Sequence, residues 1–142
     1  MSETPKKHIL YLTNEGTLQE CNDFLTVLSE PLVLEGPWSC SILQFKCPRP
    51  KAEDKAFHIC SSIVRYSAVG ESRLRTLMNV YPVGNKRKSV AQDLIQGISV
   101  PLGQERISHL RMYITDNTGE ILPLQAGNCY YTVSLERRDS FW

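Results

Sequence analysis

The chain has almost no charge imbalance: 16 Lys and Arg stand against 15 Asp and Glu in 142 residues, a formal net charge of +1. A generic nucleic-acid coat or a polybasic membrane binder carries a basic excess or stripe, so both classes are disfavoured. Long apolar runs are missing as well. The early stretch Ile9 to Leu12 falls far below the roughly 18 residues a membrane-spanning helix needs. The polar start, Met1 to Lys7, does not read as a signal peptide, so neither a leader nor a membrane anchor is expected. Cysteine is present but unpatterned. Cys21, Cys40, Cys47, Cys60 and Cys129 are odd in number and scattered, with no C-x-x-C pair and no His at zinc-ligand spacing. Reduced, mostly buried thiols are expected, which places folding in a reducing compartment, cytosol or nucleus.

Catalytic constellations are also lacking. Nucleophilic catalysis needs a nucleophile held by an oriented base, and no G-x-S-x-G or comparable signature is present. His8, His58 and His109 each fall within an expected strand without an acidic neighbour in phase, and are read as ordinary strand residues. The eight glycines stand singly at turns, which excludes a phosphate cradle of closely spaced glycines before a helix. Asp116 and Glu120 flank a turn, but a calcium loop needs several oxygen ligands at close spacing, so Asp116 is read as a turn former. The expectation is a protein that is not an enzyme, with no cofactor and no metal.

What is there is alternation at period two, interrupted by turn formers every eight to twelve residues. Lys7–Thr13 reads as a first strand, and Phe24–Leu28 as a second closed by Pro31. Glu35-Gly36-Pro37 forces a turn, because Gly accepts positive φ and Pro withholds a donor. From Trp38 to Phe45, alternation puts Trp38, Cys40 and Ile42 on one face and Ser39, Ser41, Leu43 and Phe45 on the other. Phe57–Tyr66 and Arg73–Tyr81 are expected to pair as a hairpin about Gly70. Ser89–Gln96 is the one stretch where a short helix is an open expectation, with Ser89 as its N-cap. Leu110, Met112 and Ile114 alternate up to the Asp116-Asn117-Thr118-Gly119 turn, and Tyr131, Val133 and Leu135 mark the inward face of a last strand. The reading is all-β: one antiparallel jelly-roll sandwich of about eight strands over residues 7–138, between an N-terminal arm (1–6) and a tail (139–142). An immunoglobulin-like sandwich lacks its Cys, Trp, Cys order.

Two segments are candidates for contact. Lys86-Arg87-Lys88 is the only dense basic cluster; it is either a solvated loop tip or a contact for phosphates, an acidic partner or an import receptor. Arg137-Arg138 followed by Phe141 and Trp142 places Arg and aromatic side chains, the preferred anchors of interfaces, just past the last strand. Docking on a neighbouring subunit, folding back on the parent domain, and disorder are all open for Phe141 and Trp142.

Phe24, Leu28, Pro31-Leu32, Leu34, Gly36, Trp38, Leu43 and Pro48 form a pattern F-x-x-x-L-x-x-P-L-x-L-x-G-x-W…L…P. With Leu110-x-Met112-x-Ile114-x-Asp116-x-x-Gly119, Leu122, Gly127 and Val133-x-Leu135-x-Arg137-Arg138, this resembles the single jelly-roll penton, or minor capsid, proteins of Maverick/Polinton-type elements, adintoviruses and virophage relatives. The resemblance brackets roughly Phe24 to Arg138, and the middle from Lys51 to Gln104 matches only as generic strands. The motif residues Gly36, Trp38, Asp116 and Gly119 are structural: a turn, a large buried anchor and a tight hairpin. The resemblance implies a homopentamer at each fivefold vertex of an icosahedral capsid, assembled in the host cytoplasm or nucleus and carried in the virion. Its partners would be itself and a double jelly-roll major capsid protein, with direct nucleic-acid contact left open. The alternative is a lectin- or cytokine-like sandwich that binds a sugar or receptor. An enzyme on a cupin-like barrel would need His and carboxylate ligands converging at its mouth.

Overall fold

A computed structural model describes residues 6–51, 56–81, 89–93 and 98–138, and every regular element among them is a strand. In chain order these are β1 (Lys7–Thr13), β2 (Asp23–Val33), β3 (Trp38–Pro48), β4 (Phe57–Ser61), β5 (Ser67–Val69), β6 (Ser72–Leu74), β7 (Thr76–Val80), β8 (Ser89–Asp93), β9 (Val100–Pro101), β10 (Arg106–Thr115) and β11 (Tyr130–Arg137).

The pairing is nested. Strand β1 pairs with β11, β2 with β10, β3 with β8 and β4 with β7, all antiparallel. Two further ladders, β11 with β3 and β10 with β4, join these pairs into the sheets β1-β11-β3-β8 and β2-β10-β4-β7. A long folded-back hairpin wrapped into two four-stranded sheets is a jelly roll. The three remaining strands are short: β9 extends the edge of β3 beyond β8, and β5–β6 is a separate ribbon about Gly70.

Inward residues from both sheets form one core, with Phe24, Ile42, Phe45, Phe57, Leu110 and Leu135 almost wholly enclosed. Each such side chain contributes roughly 1.5–3 kcal/mol by leaving water. All five cysteines are unpaired and buried. The Asp116 turn closes as its residues dictate: the Asp116 carboxylate accepts from Thr118 N (2.8 Å) and Thr118 Oγ1 (2.6 Å), and Gly119 N donates to the Asp116 carbonyl (3.2 Å).

Three expectations are corrected. Ser89–Asp93 is a strand paired with Gln44–Pro48, not the start of a helix; five residues gain more from the open edge of β3 than from weak local helix propensity. Residues 94–97 lie outside the described segments. Pro31 does not close β2. The strand continues to Val33, and the ladder steps from His109↔Val27 to Ile107↔Leu32, so Leu28 to Pro31 stand opposite Ser108 alone and Pro31 falls in the register shift, where no ladder donor is missed. Phe45 is a core residue on the same side as Ile42, because Ile42 faces Val133 and Gln44 faces Thr132; this leaves Leu43 as the extra residue of a bulge that inverts the phase. The expected hairpin of 57–66 with 73–81 is present as β4–β7, with the β5–β6 ribbon interposed.

Candidate functional site

At one end of the sandwich three segments meet around a cavity of about 460 Å³, lined by Leu34, Gly36, Pro37, Trp38, Arg65 and the run Pro101–Glu105. Gly36 adopts a φ of +89°, the left-handed region that a Cβ disfavours, and the turn it permits brings Leu34 and Trp38 to the same wall. Trp38 is buried; its Nε1 donates to the Glu35 carbonyl (3.0 Å) and its ring stacks on His8 (5.6 Å). Backbone bonds lace the walls together: Leu34 N to Glu105 O (2.7 Å), Leu102 N to Trp38 O (3.0 Å) and Gly103 N to Ile63 O (2.8 Å). Arg65 joins through its backbone N to Pro101 O and its Nε to Leu102 O, each at 3.1 Å. Leu34, Trp38 and Leu102 are buried behind its walls, and Arg65 and Glu105 are exposed at the rim. The lining is mixed, polar as well as apolar, so the cavity suits an occupant that brings polar groups along with apolar ones.

The two candidate arginines lie beside this pocket and differ. Arg137 is exposed, and its guanidinium packs over Gly36, 3.3 Å from where a Cβ would sit. Arg138 is turned into its own domain: Nε donates to Ser39 Oγ (3.1 Å) and Nη2 to Ser99 Oγ (2.6 Å), while its backbone N donates to Pro37 O (2.7 Å). Lys86, Arg87, Lys88, Phe141 and Trp142 lie outside the described residues.

Both outer faces of the sandwich carry apolar side chains. On the first sheet, Tyr11 is 79% exposed and stands with Ile9 and Tyr130; Tyr11, Tyr130, Gln44, Lys46 and Thr132 border a shallow groove of about 340 Å³. On the second, the edge strand β2 presents Val27, 73% exposed, with Leu25 and Val33. On and beside the same sheet, from β10 to the β5–β6 ribbon, lie cation–aromatic contacts that the sequence reading missed. Arg111 lies over the Tyr113 ring (4.2 Å), and Arg75 (4.1 Å) and Arg73 (5.4 Å) both lie over Tyr66. Their signal was legible in the interleaving of Arg65, Tyr66, Arg73 and Arg75. The pocket had no comparable signal, since its walls come from segments far apart in the chain.

His58 is buried on β4, its Nε2 bonded with Asn117 Oδ1 (2.8 Å) and its Nδ1 with Thr76 Oγ1 (3.3 Å). Cys60 lies two residues along the same strand, and burial pushes its thiol up to about 11, away from a thiolate. The described residues include no group of three His, Cys, Asp or Glu able to hold a metal. Comparison with protein-family models and with curated proteins finds no match for the chain.

Proposed function

We propose that the protein is a structural subunit whose work is assembly: a penton-type single jelly roll that closes into a homopentameric ring at a capsid vertex and packs against a double jelly-roll shell protein. The observation that carries this reading is the exposure of apolar side chains on both outer faces, Tyr11 and Ile9 on one and Val27 and Leu25 on the other. Single apolar side chains are ordinary on a monomer's surface, but neighbouring ones grouped on each of two faces suit contact with other subunits. A ring built head to tail needs two different faces that meet, repeated by a rotation that closes. The motif residues support the same reading in the roles the resemblance gives them, Gly36 and Trp38 shaping one end and Asp116 and Gly119 a tight turn.

Light scattering of the purified protein tests it. The expected mass is about five times the 16.2 kDa chain, and Tyr11→Lys or Val27→Glu should dissociate the ring while leaving the β-rich circular dichroism intact. A strict monomer or a trimer at high concentration would overturn the reading. The second reading, a sandwich binding module, draws on the end pocket; it requires that pocket to be open to ligand in the native protein.

A further inference from the structure

We infer that Cys47 and Cys129 form a cross-strand disulfide when the protein meets an oxidant of the soluble-disulfide class, with Cys21 as the thiol through which oxidation enters. The ladder between β3 and β11 sets the pair. Its rungs at this end are Tyr131↔Phe45 and Tyr130↔Lys46, and one further step puts Cys129 opposite Cys47. The two segments stay side by side beyond that point, since a Cβ on Gly127 would come 3.0 Å from the Pro48 ring. Alternation turns both thiols inward: Cys47 lies in phase with Phe45 and Cys129 with Tyr131, and all four side chains are buried.

The backbone at this rung fits a disulfide. Cys129 N donates to Asn14 Oδ1 (2.9 Å) and not across the ladder to Cys47, so the rung is not one whose residues exchange both N–H bonds. Opposite residues of the other kind bring their Cα atoms to about 4.5 Å, inside the span of about 4.4–6.8 Å that a disulfide bridges. Cys21 reaches the site from another segment. It follows the exposed run 15–20 between β1 and β2, and Asn14 fastens that run to the site, its Nδ2 donating to Gln19 O (3.1 Å) while its Oδ1 takes the Cys129 N–H. Cys129 interacts with both Cys47 and Cys21, so it is the middle thiol of the three. Cys21 is 8% exposed, whereas the other four cysteines are at 0%, so an oxidant meets it first.

Oxidation then proceeds by three displacements at sulfur. Cys21, as its thiolate, attacks glutathione disulfide and releases one glutathione. Cys129 attacks Cys21 Sγ, releasing the second glutathione and forming a Cys21–Cys129 bond. Cys47 attacks Cys129 Sγ; that bond breaks, Cys21 leaves as a thiolate and regains its proton, and Cys47–Cys129 remains. In sum, Cys47 and Cys129 give up two protons and two electrons, and one glutathione disulfide becomes two glutathione molecules. The new bond ties the ends of the segment that carries β4 to β10, a long closed loop of the sort that most restricts the unfolded chain.

The test incubates the folded full chain with oxidised glutathione, blocks the remaining thiols with N-ethylmaleimide and maps the peptides by mass spectrometry. The expected product is a single chain lighter by two hydrogens, linked 47–129, with Cys21, Cys40 and Cys60 blocked. Its urea midpoint should rise by about 1 M or more and fall back on addition of dithiothreitol. Cys21→Ser should give the same linkage roughly tenfold more slowly. A chain that stays reduced, stops with glutathione on Cys21, ends as Cys21–Cys129 or links to a second copy would overturn the pair, as would an unchanged urea midpoint. An undiminished rate in Cys21→Ser would overturn the entry through Cys21. The bond lies within one chain, so each readout holds for a pentamer and a monomer alike.

Discussion

Arg111 grips Asp23 diagonally across the β2–β10 ladder, Nε to Oδ1 at 2.6 Å and Nη2 to Oδ2 at 2.8 Å, while its guanidinium rests on the Tyr113 ring. Tyr113 stands directly opposite Asp23, so one strand supplies both the cation and the aromatic surface that holds it in place. The hydrogen bonds from Arg111 to Asp23 raise the arginine further above its usual range, and it stays charged at any accessible pH. Both side chains remain more than a third exposed, so water screens the pair. The bidentate geometry places it at the upper end for exposed pairs, and Asp23→Ala should cost about 1 kcal/mol in denaturant unfolding. A double-mutant cycle with Arg111→Ala isolates the coupling, which should shrink in high salt; zero coupling would reduce the pair to a neutral contact.

The bulge at Leu43 makes a sharper prediction. Simple alternation from Trp38 sends Phe45 outward, whereas the ladder with β11 places it in the core beside Ile42. Phe45→Ala should therefore cost about 3–5 kcal/mol, as for a fully enclosed aromatic, and Leu43→Ala, at a half-buried site, about 1 kcal/mol. Urea unfolding of the two variants decides between the phases, for a reversed ranking would restore the unbroken alternation.

That bulge also marks where the sequence stops being legible. Strand β1 has the expected bounds, the β4–β7 hairpin and the Asp116 turn are present, and Gly36 turns the chain before Trp38; each follows from neighbours in the sequence. What failed depends on distant partners. Leu43 has no glycine or proline to announce a bulge, and only the register of Thr132 and Val133 on β11 creates it. Ser89–Asp93 is extended because β3 offers an open edge, a fact located some forty residues upstream. The end pocket was invisible for the same reason, since Trp38, Arg65 and Leu102 meet only once the sheets close. Arg137 and Arg138 stand side by side at the end of the last strand, and nothing local in the sequence separates the exposed one from the one bound to Ser39 and Ser99.

Gly36 should tolerate substitution poorly for two separable reasons. Its positive φ alone costs a residue with a Cβ about 1–2 kcal/mol. The Arg137 guanidinium adds a close approach at 3.3 Å that an alanine must displace. Gly16 has a similar φ of +79° with open space around it, so Gly16→Ala reports the backbone part alone. Thermal melts should show Gly36→Ala lower than Gly16→Ala, and Arg137→Ala in the Gly36→Ala background should recover part of the difference. Equal melts would mean that Arg137 simply swings away.

The buried thiols predict that the fold fails in alkali. Burial pushes Cys40 up to about 12, and Cys21 and Cys60 up to about 11. A hydrogen bond with Cys47 and burial raise Cys129, and burial raises the Tyr131 hydroxyl beside it. An unfolded thiol loses its proton near pH 9, so above that pH the folded state binds more protons than the unfolded one and stability falls as pH rises. The thiol contribution is fully present below pH 9 and is lost on the way to 11 and 12, with a slope of up to about 1.4 kcal/mol per pH unit for each group. The urea midpoint should drop steeply between pH 9 and 11, and Cys40→Ala should make that drop shallower. At pH 7.5 a maleimide should label the native cysteines slowly and all five rapidly in denaturant. A midpoint that held steady to pH 11 would mean that the folded core does not keep these protons, and that the thiols ionise in place.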